Sequence, residues 1–423
     1  MDCILHIGTE KTATTLLQGW LYANKAQLSS QGVFLSTVAK EGNNRKLVSW
    51  FQTRIDDWLR RQQVHTLPQK EGMFEGFEDQ FRAEIDEATA HHNTIILTSE
   101  HFHSRLHSDE EILRVKTFLD DVFDTTTVVC YFRDQADMAV SLYSTLLRIA
   151  FTKPLDRYLE GVTPERRNYN HADTSAQWAK IFGAARCRFR VFDRAAFPDG
   201  DIRRDFLQTW PQPPDFDQLD PSVTRANESL AGHQARLYRA INQTVPHWKP
   251  EKAGVNRLNL RLKQTVDRLD SLGKVQVPQD AKEQVRQRFV ESNSRFLSIW
   301  APHRTDLRDR STTTVAEAHP DETAVNEDVL ADLLTALVSD HMGSDRFLER
   351  EDARTLMKLY RKFRQSRPDD HEGALALLEL AVRAHPSGPQ IQRALQEMKA
   401  SSATTETPED PGLQPPNDVT PPK

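Results

Sequence analysis

The stretch "HIGTEKTATTLLQGWL" (residues 6–21) decides the fold, because it joins an apolar strand to an amphipathic helix through a short polar turn. The same order of strand and helix recurs three times. It is seen in "TIILTSE" before "DEEILRVKTFLDDVF", in "TTVVCYFRD" before "DMAVSLYSTLLRIA", and in "CRFRVFD" before "DIRRDFLQTW". Repeated strand–helix units are typical of an α/β fold with a parallel sheet that helices cover on both faces. Such sheets bind ligands at the carboxyl ends of their strands.

The turn after the first strand has the features of an anion site. A helix predicted to begin near Thr14 offers free backbone N–H groups and partial positive charge at its N-terminus. Further donors come from Lys11, Thr12, Thr14 and Thr15. The alternative interpretation is a helix capped by a threonine, with Lys11 in solvent.

This turn does not match the Walker A pattern of nucleoside triphosphatases, which needs Gly, four residues and then Gly-Lys-Ser/Thr. Lys11 follows Gly8 by only three residues, and "TIILTSE" does not end in the aspartate that would hold magnesium. The sequence therefore disfavours a nucleotide-dependent kinase.

A second anion site is predicted after the strand "VVCYF". Arg133 lies at the end of this strand, and Ser141 follows eight residues later on the next helix, so both side chains are expected to converge on one anion. The alternative is an ion pair of Arg133 with Asp134 or Asp137. Two separate anion sites indicate a ligand that carries phosphate at two places.

Composition limits the classes of function. The 423 residues carry 55 Lys+Arg and 61 Asp+Glu, a net charge of −6, which argues against a general nucleic-acid or membrane-surface binder. Cys3, Cys130 and Cys187 each lie in an apolar run and are expected to be reduced, buried strand residues. No membrane span and no signal peptide are predicted, so we expect a cytoplasmic protein.

Periodicity changes along the chain predict four regions. Residues 1–305 are expected to form the α/β domain, and residues 306–328 a polar, acidic linker. Residues 329–400 are expected to form a helical extension that includes one tetratricopeptide-like helix pair and is a candidate site for a protein partner. The Pro- and Thr-rich residues 401–423 are expected to be a disordered tail.

Together, "IGTEKTATTLLQ" and "YFRDQADMAVSLY" resemble segments of the sulfotransferases that use 3'-phosphoadenosine 5'-phosphosulfate (PAPS). The first is similar to that family's loop for the 5'-phosphosulfate, and the second to its segment for the 3'-phosphate. "IILTSEHF" and "RVFDRAAFPDGDIRRDFL" are similar to further segments, so the resemblance covers about residues 1–305. It implies a P-loop-like sulfotransferase fold, PAPS as sulfate donor and no requirement for a metal.

The resemblance also implies roles for individual residues. Lys11 would stabilise charge on the leaving group, and Arg133 with Ser141 would hold the 3'-phosphate. The 5'-phosphosulfate would lie against Lys11, Thr12, Ala13, Thr14 and Thr15. Phe192 is placed like the family's adenine-contacting aromatic residue, although core packing explains a strand phenylalanine equally well. Two departures are Ala13, where a glycine is commonest, and Gln135, where a proline usually stands.

The base that activates the acceptor is expected at the end of "TIILTSE". Glu100 stands where similar glycan sulfotransferases have a glutamate, and His101 and His103 are the rivals because imidazole titrates near neutral pH. An extended "SEHFHS" would direct both histidines away from Glu100. A metal site formed by His101, His103 and His107 is a weaker alternative.

The acceptor is expected to be a hydroxyl or amine on a carbohydrate, lipid or small metabolite. The pairs Arg166-Arg167 and Arg203-Arg204 would guide an anionic glycan, or are simply solvated charge. An inactive binding or scaffold protein on the same fold remains the alternative from a different class, because Ala13 and Gln135 depart from the family pattern.

Overall fold

A computed structural model describes residues 1–39, 42–223, 232–248, 254–268, 279–311, 348–366 and 368–403. Contacts divide the chain into a sheet unit, formed by Met1–Ala235 and Ser271–Asp321, and a helical unit, formed by Arg236–Asp270 and Glu322–Lys423. Most of the predicted linker (from residue 312) and of the predicted tail (from residue 404) lies outside the described residues. So does the first predicted helix of the C-terminal extension, residues 328–342.

The sheet unit is built on five parallel strands in the order β2-β3-β1-β4-β5. The strands are β1 (Asp2–His6), β2 (Val33–Leu35), β3 (Thr94–Thr98), β4 (Thr126–Phe132) and β5 (Cys187–Val191). The predicted α/β class with a parallel sheet is confirmed. Strand β2 was not predicted, since it has only three residues. Because β1 is central, with His6 opposite Thr98 on β3 and Val129 on β4, the turn that follows it lies between the ends of both neighbours.

Helices occupy the connections between the strands and also follow the last strand. In the sheet unit they are α1 (Thr14–Ala23), α2 (Lys25–Ser30), α3 (Arg45–Phe51), α4 (Asp57–Arg61), α5 (Leu67–Met73), α6 (Phe77–Thr89), α7 (His101–Arg105), α8 (Asp109–Val122), α9 (Gln135–Ile149), α10 (Leu155–Glu160), α11 (His171–Phe182), α12 (Ile202–Leu207), α15 (Gln279–Arg288) and α16 (Val290–Trp300). Short 3-10 turns span Arg167–Tyr169, Ala184–Arg186, Arg194–Ala196, Pro198–Gly200 and Phe216–Gln218.

Alternate strand residues bury opposite faces of the sheet, as strand geometry requires. On β1, Cys3 and Leu5 belong to one apolar cluster, whereas Ile4 belongs to the other. The first cluster extends to α16, whose Phe296 ring lies 4.8 Å from that of Phe132, while the Trp300 ring lies 4.6 Å from that of Phe189. The second packs against α1 and α12. The three cysteines are buried and unbridged on β1, β4 and β5, as predicted.

The helical unit contains most of α13 (Gly232–Thr244), α14 (Arg257–Arg268), α17 (Asp352–Ser366), α18 (His371–Ala384) and α19 (Pro389–Ala403). Helix α18 packs against both α17 and α19. The likeness of this region to a tetratricopeptide pair stays a prediction. Within the described ranges, no helix is long and apolar enough to cross a membrane.

Candidate functional site

The turn from Gly8 to Ala13 is held by both neighbours of β1. The backbone N–H of Tyr131 donates to the Gly8 carbonyl at 2.8 Å, and that of Thr9 donates to the Tyr131 carbonyl at 3.0 Å. On the other side, the N–H of His103 donates to the carbonyl of Ile7 at 3.3 Å. The turn is therefore fixed between the ends of β3 and β4.

Two residues of this turn, Lys11 with φ 67° and Ala13 with φ 60°, adopt the left-handed conformation. Alternation between left- and right-handed residues directs backbone N–H groups into a concavity that suits anions. Helix α1 starts directly afterwards, and Ala13 at its N-cap has no side-chain oxygen that could accept from the first turn. The alternative of a threonine cap is therefore wrong, since no side-chain cap accepts from the first N–H groups of α1.

The threonine hydroxyls differ in their surroundings. Thr12 is fully buried and donates to the Thr9 carbonyl at 2.7 Å, so its hydroxyl proton is used inside the turn. Thr14 is buried, whereas Thr15 is exposed. Lys11 does not extend into solvent, because its ammonium group donates to the Thr145 hydroxyl of α9.

Arg133 lies directly against the turn. Its Nη1 donates to the carbonyl of Lys11 at 3.0 Å, and its guanidinium carbon lies 5.5 Å from the centre of the Phe192 ring. The two aspartates expected as alternative partners of Arg133 form ion pairs with other cations. Asp134 pairs with Arg286 at 3.0 Å, and Asp137 pairs with Lys282 at 2.9 Å.

Lys11 and Arg133 line one cleft of about 400 Å³, a volume within the range of small-molecule sites (about 300–1,000 Å³). The rest of its wall is formed by Ala13, Leu16, Phe192, Arg194, Phe197, Asp199, Gly200, Asp201, Ile202, Arg203 and Val223. The lining carries four cationic side chains (Lys11, Arg133, Arg194 and Arg203) and two carboxylates (Asp199 and Asp201), so the cleft has an excess of positive charge. Ser141 is not part of this described lining; it is half-buried on α9, one turn before Thr145.

Glu100 lies on the other side of the turn. A Cβ on Gly8 would meet the Glu100 Cα at 3.0 Å, so the backbones of the two residues are nearly in contact. The Gln18 side chain of α1 donates to Glu100 Oε2 at 2.8 Å, and His101 Nε2 lies 3.8 Å from Oε1. Both side chains remain partly exposed, at 18% for Glu100 and 20% for His101.

The expectation of an extended "SEHFHS" is wrong, because β3 ends at Thr98 and His101 begins the short helix α7. Consecutive side chains diverge by only about 100° in a helix and by about 180° in a strand, so His101 Nε2 can lie 3.8 Å from Glu100 Oε1. His103 is fully buried against Phe132, and His107 bonds to the Ser104 carbonyl at 2.9 Å. The described residues contain no group of three His, Cys, Asp or Glu that could hold a metal ion, so the metal alternative built on these histidines is not supported.

Burial and charge shift the proton affinities around Glu100. Burial lowers the pKa of His101 to about 4; the Glu100 carboxylate opposes this shift, and Arg45 and Arg105 add to it. Burial raises the pKa of Glu10, and the charge of Glu100 raises it further, whereas Arg105 and Lys11 act in the opposite direction. His101 is therefore neutral at pH 7.

Several residues at the site were not predicted. Gln18, Thr145 and Arg194 contact predicted residues or line the cleft, and Glu10 lies within the turn itself. Only Thr145 had a signal in the sequence, since it lies four residues after Ser141 on the same face of a helix. Of the paired arginines, Arg203 reaches the cleft, whereas Arg167 donates to the Leu106 carbonyl at 3.1 Å and so ties two segments together.

Comparison with known proteins adds little to this geometry. No family model matches the chain, and no solved structure matches it. An uncharacterized protein of Archaeoglobus fulgidus is 25% identical over 135 residues, which is 32% of this chain and 35% of that protein. The chain thus spans about a third of the length of this relative.

Proposed function

We propose that this chain is a PAPS-dependent sulfotransferase, with a P-loop-like sulfotransferase fold, that transfers a sulfuryl group to a hydroxyl or amine acceptor. The observation that carries the proposal is the cleft shared by Lys11 and Arg133. Two cationic side chains on one cleft suit a ligand that carries more than one negative group.

The donor groups at the cleft fit such a nucleotide. The left-handed turn at Lys11 and Ala13, together with the uncapped start of α1, would bind the 5'-phosphosulfate through backbone N–H groups, joined by the side chains of Thr14 and Thr15. Arg133 and, as the resemblance implies, Ser141 of α9 would hold the 3'-phosphate, and Phe192, which lines the cleft, would form the wall beside the adenine. Thr12 would support the turn from inside, since its hydroxyl donates to Thr9.

When bound, PAPS supplies an activated sulfuryl group for in-line displacement by the acceptor. Lys11 would stabilise the negative charge that develops on the leaving phosphate oxygen, as in phosphoryl transfer. Glu100 would accept the proton of the attacking hydroxyl or amine, because its carboxylate is partly exposed next to the turn and is oriented by Gln18. No step of this scheme needs a metal ion.

A thermal-shift titration with 3',5'-adenosine bisphosphate tests this function. We expect the bisphosphate to raise the melting temperature by several degrees, Arg133→Ala to abolish the rise, and ATP with magnesium to have no such effect. Arg157→Ala is the matched control, since Arg157 is 65% exposed on α10. Stabilisation by ATP with magnesium alone would favour a kinase, and no response to either nucleotide would favour a binding protein.

Turnover of Glu100→Gln tests the base. We expect sulfuryl transfer to fall by about 10²–10⁴-fold, the usual contribution of general acid–base catalysis, while the bisphosphate still stabilises the variant. Near-normal turnover would instead assign the base to His101.

A further inference from the structure

Arg194 lines the same cleft as Lys11 and Arg133, yet the scheme above gives it no role. It begins the 3-10 turn Arg194–Ala196, two residues beyond Phe192 and shortly after the end of β5. Its side chain is 36% exposed, so a ligand in the cleft can reach it. Position alone leaves two interpretations of this residue, a solvated charge and a ligand contact.

The guanidinium group of Arg194 keeps its hydrogen-bond donors. Its Nη1 lies 3.4 Å from Asp309 Oδ2, which is longer than a charge-assisted hydrogen bond of about 2.7–2.9 Å. Within the part of the chain that the structure describes, the guanidinium nitrogens form no hydrogen bond, since only the backbone N–H of Arg194 donates. An arginine carries five N–H donors in a planar fork, so Arg194 can donate two parallel bonds to one phosphate.

Arg203, another arginine of the cleft lining, differs from Arg194 in this respect. Its Nε and Nη2 donate to Asp201 at 2.9 Å and 2.6 Å. Its Nη1 donates to the carbonyls of Pro221 and Val223 at 2.8 Å and 3.2 Å. These bonds engage all three nitrogens and tie α12 to residues 221–223. Arg203 is therefore a structural cation, whereas the donors of Arg194 remain available to a ligand.

Arg194 and Arg133 lie beside the same wall of the cleft. The guanidinium carbon of Arg194 is 5.6 Å from the centre of the Phe192 ring, and that of Arg133 is 5.5 Å from the same point. Phe192 is only 3% exposed, so its ring is a fixed part of this wall. An anion bound next to the ring is therefore within reach of two arginines.

The backbone of Arg194 is held by the last described segment of the sheet unit. Its N–H donates to Asp309 Oδ1 at 3.2 Å, and the same oxygen accepts from the N–H and the hydroxyl of Ser311 at 3.1 Å and 2.7 Å. The preceding residue, Asp193, pairs with Arg304 at 2.6 Å. Arg194 thus extends from an ordered turn, which reduces the entropy lost when its side chain binds a ligand.

We propose that Arg194 binds the 3'-phosphate of the nucleotide together with Arg133 and so sets the preference of the cleft for nucleotides that carry this phosphate, a role that rests on the proposed function. The 5'-phosphosulfate lies against the turn of residues 11–15 in that scheme, and the adenine lies beside Phe192. A nucleotide without the 3'-phosphate forms no bond to Arg194, whereas its 5'-phosphate contacts are unchanged. Arg194 is therefore a specificity-determining residue.

Dissociation constants for two nucleotides test this role. Isothermal titration of the full-length chain compares adenosine 3',5'-bisphosphate with adenosine 5'-monophosphate (AMP). We expect Arg194→Gln to weaken bisphosphate binding by about 10–100-fold, the usual effect of a lost hydrogen bond to a charged group, and to change AMP binding less than about twofold. Arg194→Lys should recover part of the loss, because an ammonium group keeps the charge but not the planar fork.

Arg188→Gln is the matched control, since Arg188 is exposed on β5 and lies outside the described lining of the cleft. It should leave both dissociation constants unchanged. Binding of AMP by Arg194→Gln shows that the cleft of this variant is still folded.

The outcomes separate this role from the proposed function. If the wild type prefers the bisphosphate and Arg194→Gln keeps the same preference, the role of Arg194 is overturned while the proposed function stands. Equal losses of affinity for both nucleotides overturn it as well, because Arg194 would then not act on the 3'-phosphate. A wild type that does not bind the bisphosphate contradicts the proposed function itself.

Discussion

Gly8 approaches Glu100 more closely than a side chain on Gly8 allows. An added Cβ would lie 3.0 Å from the Glu100 Cα and 3.2 Å from its Cβ, and the φ of +111° is one that other residues rarely adopt. We expect Gly8→Ala to lower the free energy of unfolding by about 1–3 kcal/mol and to weaken bisphosphate binding, because the turn must move away from β3. Thermal denaturation with and without the bisphosphate measures both effects.

Gly72→Ala is the matched control for this substitution. Gly72 lies within α5 and is exposed, with nothing within 4 Å of its added Cβ, so alanine should leave the stability unchanged or raise it by up to about 1 kcal/mol. Equal losses in the two variants would show that the contact with Glu100 is not the cause.

Buried histidines, among them His6 and His171, make stability depend on pH. Burial lowers the pKa of His6 and of His171 to about 4, well below the ordinary value of 6.5. Below pH 6.5 the unfolded chain takes up protons that the folded chain does not, so stability is complete above pH 6.5 and is lost as pH falls toward 4. Each histidine contributes up to about 1.4 kcal/mol per pH unit within this window.

We therefore expect the melting temperature to fall steadily between pH 6.5 and 4, and His171→Gln to make this dependence shallower. The exposed His65 serves as the control, since His65→Gln should leave the slope unchanged. A melting temperature that is constant between pH 6.5 and 4.5 would contradict this account.

At the scale of single elements, α8 shows how a helix start fixes a distant loop. Ser108 accepts from the Glu111 N–H at 3.1 Å, and Glu111 Oε2 accepts in return from Ser108 at 3.3 Å. The other oxygen of Glu111 accepts from the backbone and the hydroxyl of Thr53, both at 2.8 Å. Glu111 thus holds both its own helix and the segment after α3.

We expect Ser108→Ala to cost about 1 kcal/mol of stability, the usual value for a lost cap, and Glu111→Ala to cost clearly more. Chemical denaturation measures the difference. Ser298→Ala, which removes an exposed hydroxyl bonded within α16, is the control. A loss for Glu111→Ala no larger than that for Ser108→Ala would show that the bonds to Thr53 contribute nothing.

The helices and strands predicted from the sequence are those long enough to repeat the hydrophobic pattern several times. Strand β4 and helix α8 each have enough apolar positions to be recognised. Helix α7 has only five residues, and it is held by tertiary hydrogen bonds such as the one from the His103 N–H to the Ile7 carbonyl. The hydrophobic pattern of the sequence therefore does not predict it. Because this segment was expected to be extended, the proximity of His101 to Glu100 was not predicted.

The positions of Lys11 and Arg133 at strand ends followed from the rule for parallel sheets. The environment of Glu10 could not be predicted in this way, because it depends on Ser104 and Arg105, which lie about a hundred residues away in the sequence. Proximity of this kind is a property of the folded chain and not of local periodicity.

At the scale of the whole molecule, a buried ion pair fixes the last described segment of the sheet unit. Arg304 Nη1 lies 2.6 Å from Asp193 Oδ2, and the two side chains are 5% and 1% exposed. The Arg310 N–H donates to the other Asp193 oxygen at 2.9 Å. These bonds attach residues 304–310 to the end of β5.

We expect Arg304→Ala to lower the stability of the sheet unit by about 3–5 kcal/mol, because Asp193 would keep a buried charge without its main partner. Arg308→Ala, which removes a half-exposed partner of Glu283, should cost no more than about 1 kcal/mol. Calorimetry of both variants makes the comparison. Similar small losses in both would show that the buried pair is not needed.

The position of α16 in the sequence has a consequence for synthesis on the ribosome. Its Phe296 and Trp300 cover Phe132 and Phe189, yet they are translated about a hundred residues after β5. At about 5–20 residues per second, the nascent sheet would expose those two rings for roughly 5–20 s. During that interval the emerging chain offers an apolar patch to chaperones, and slow codons between β5 and α16 should increase its aggregation.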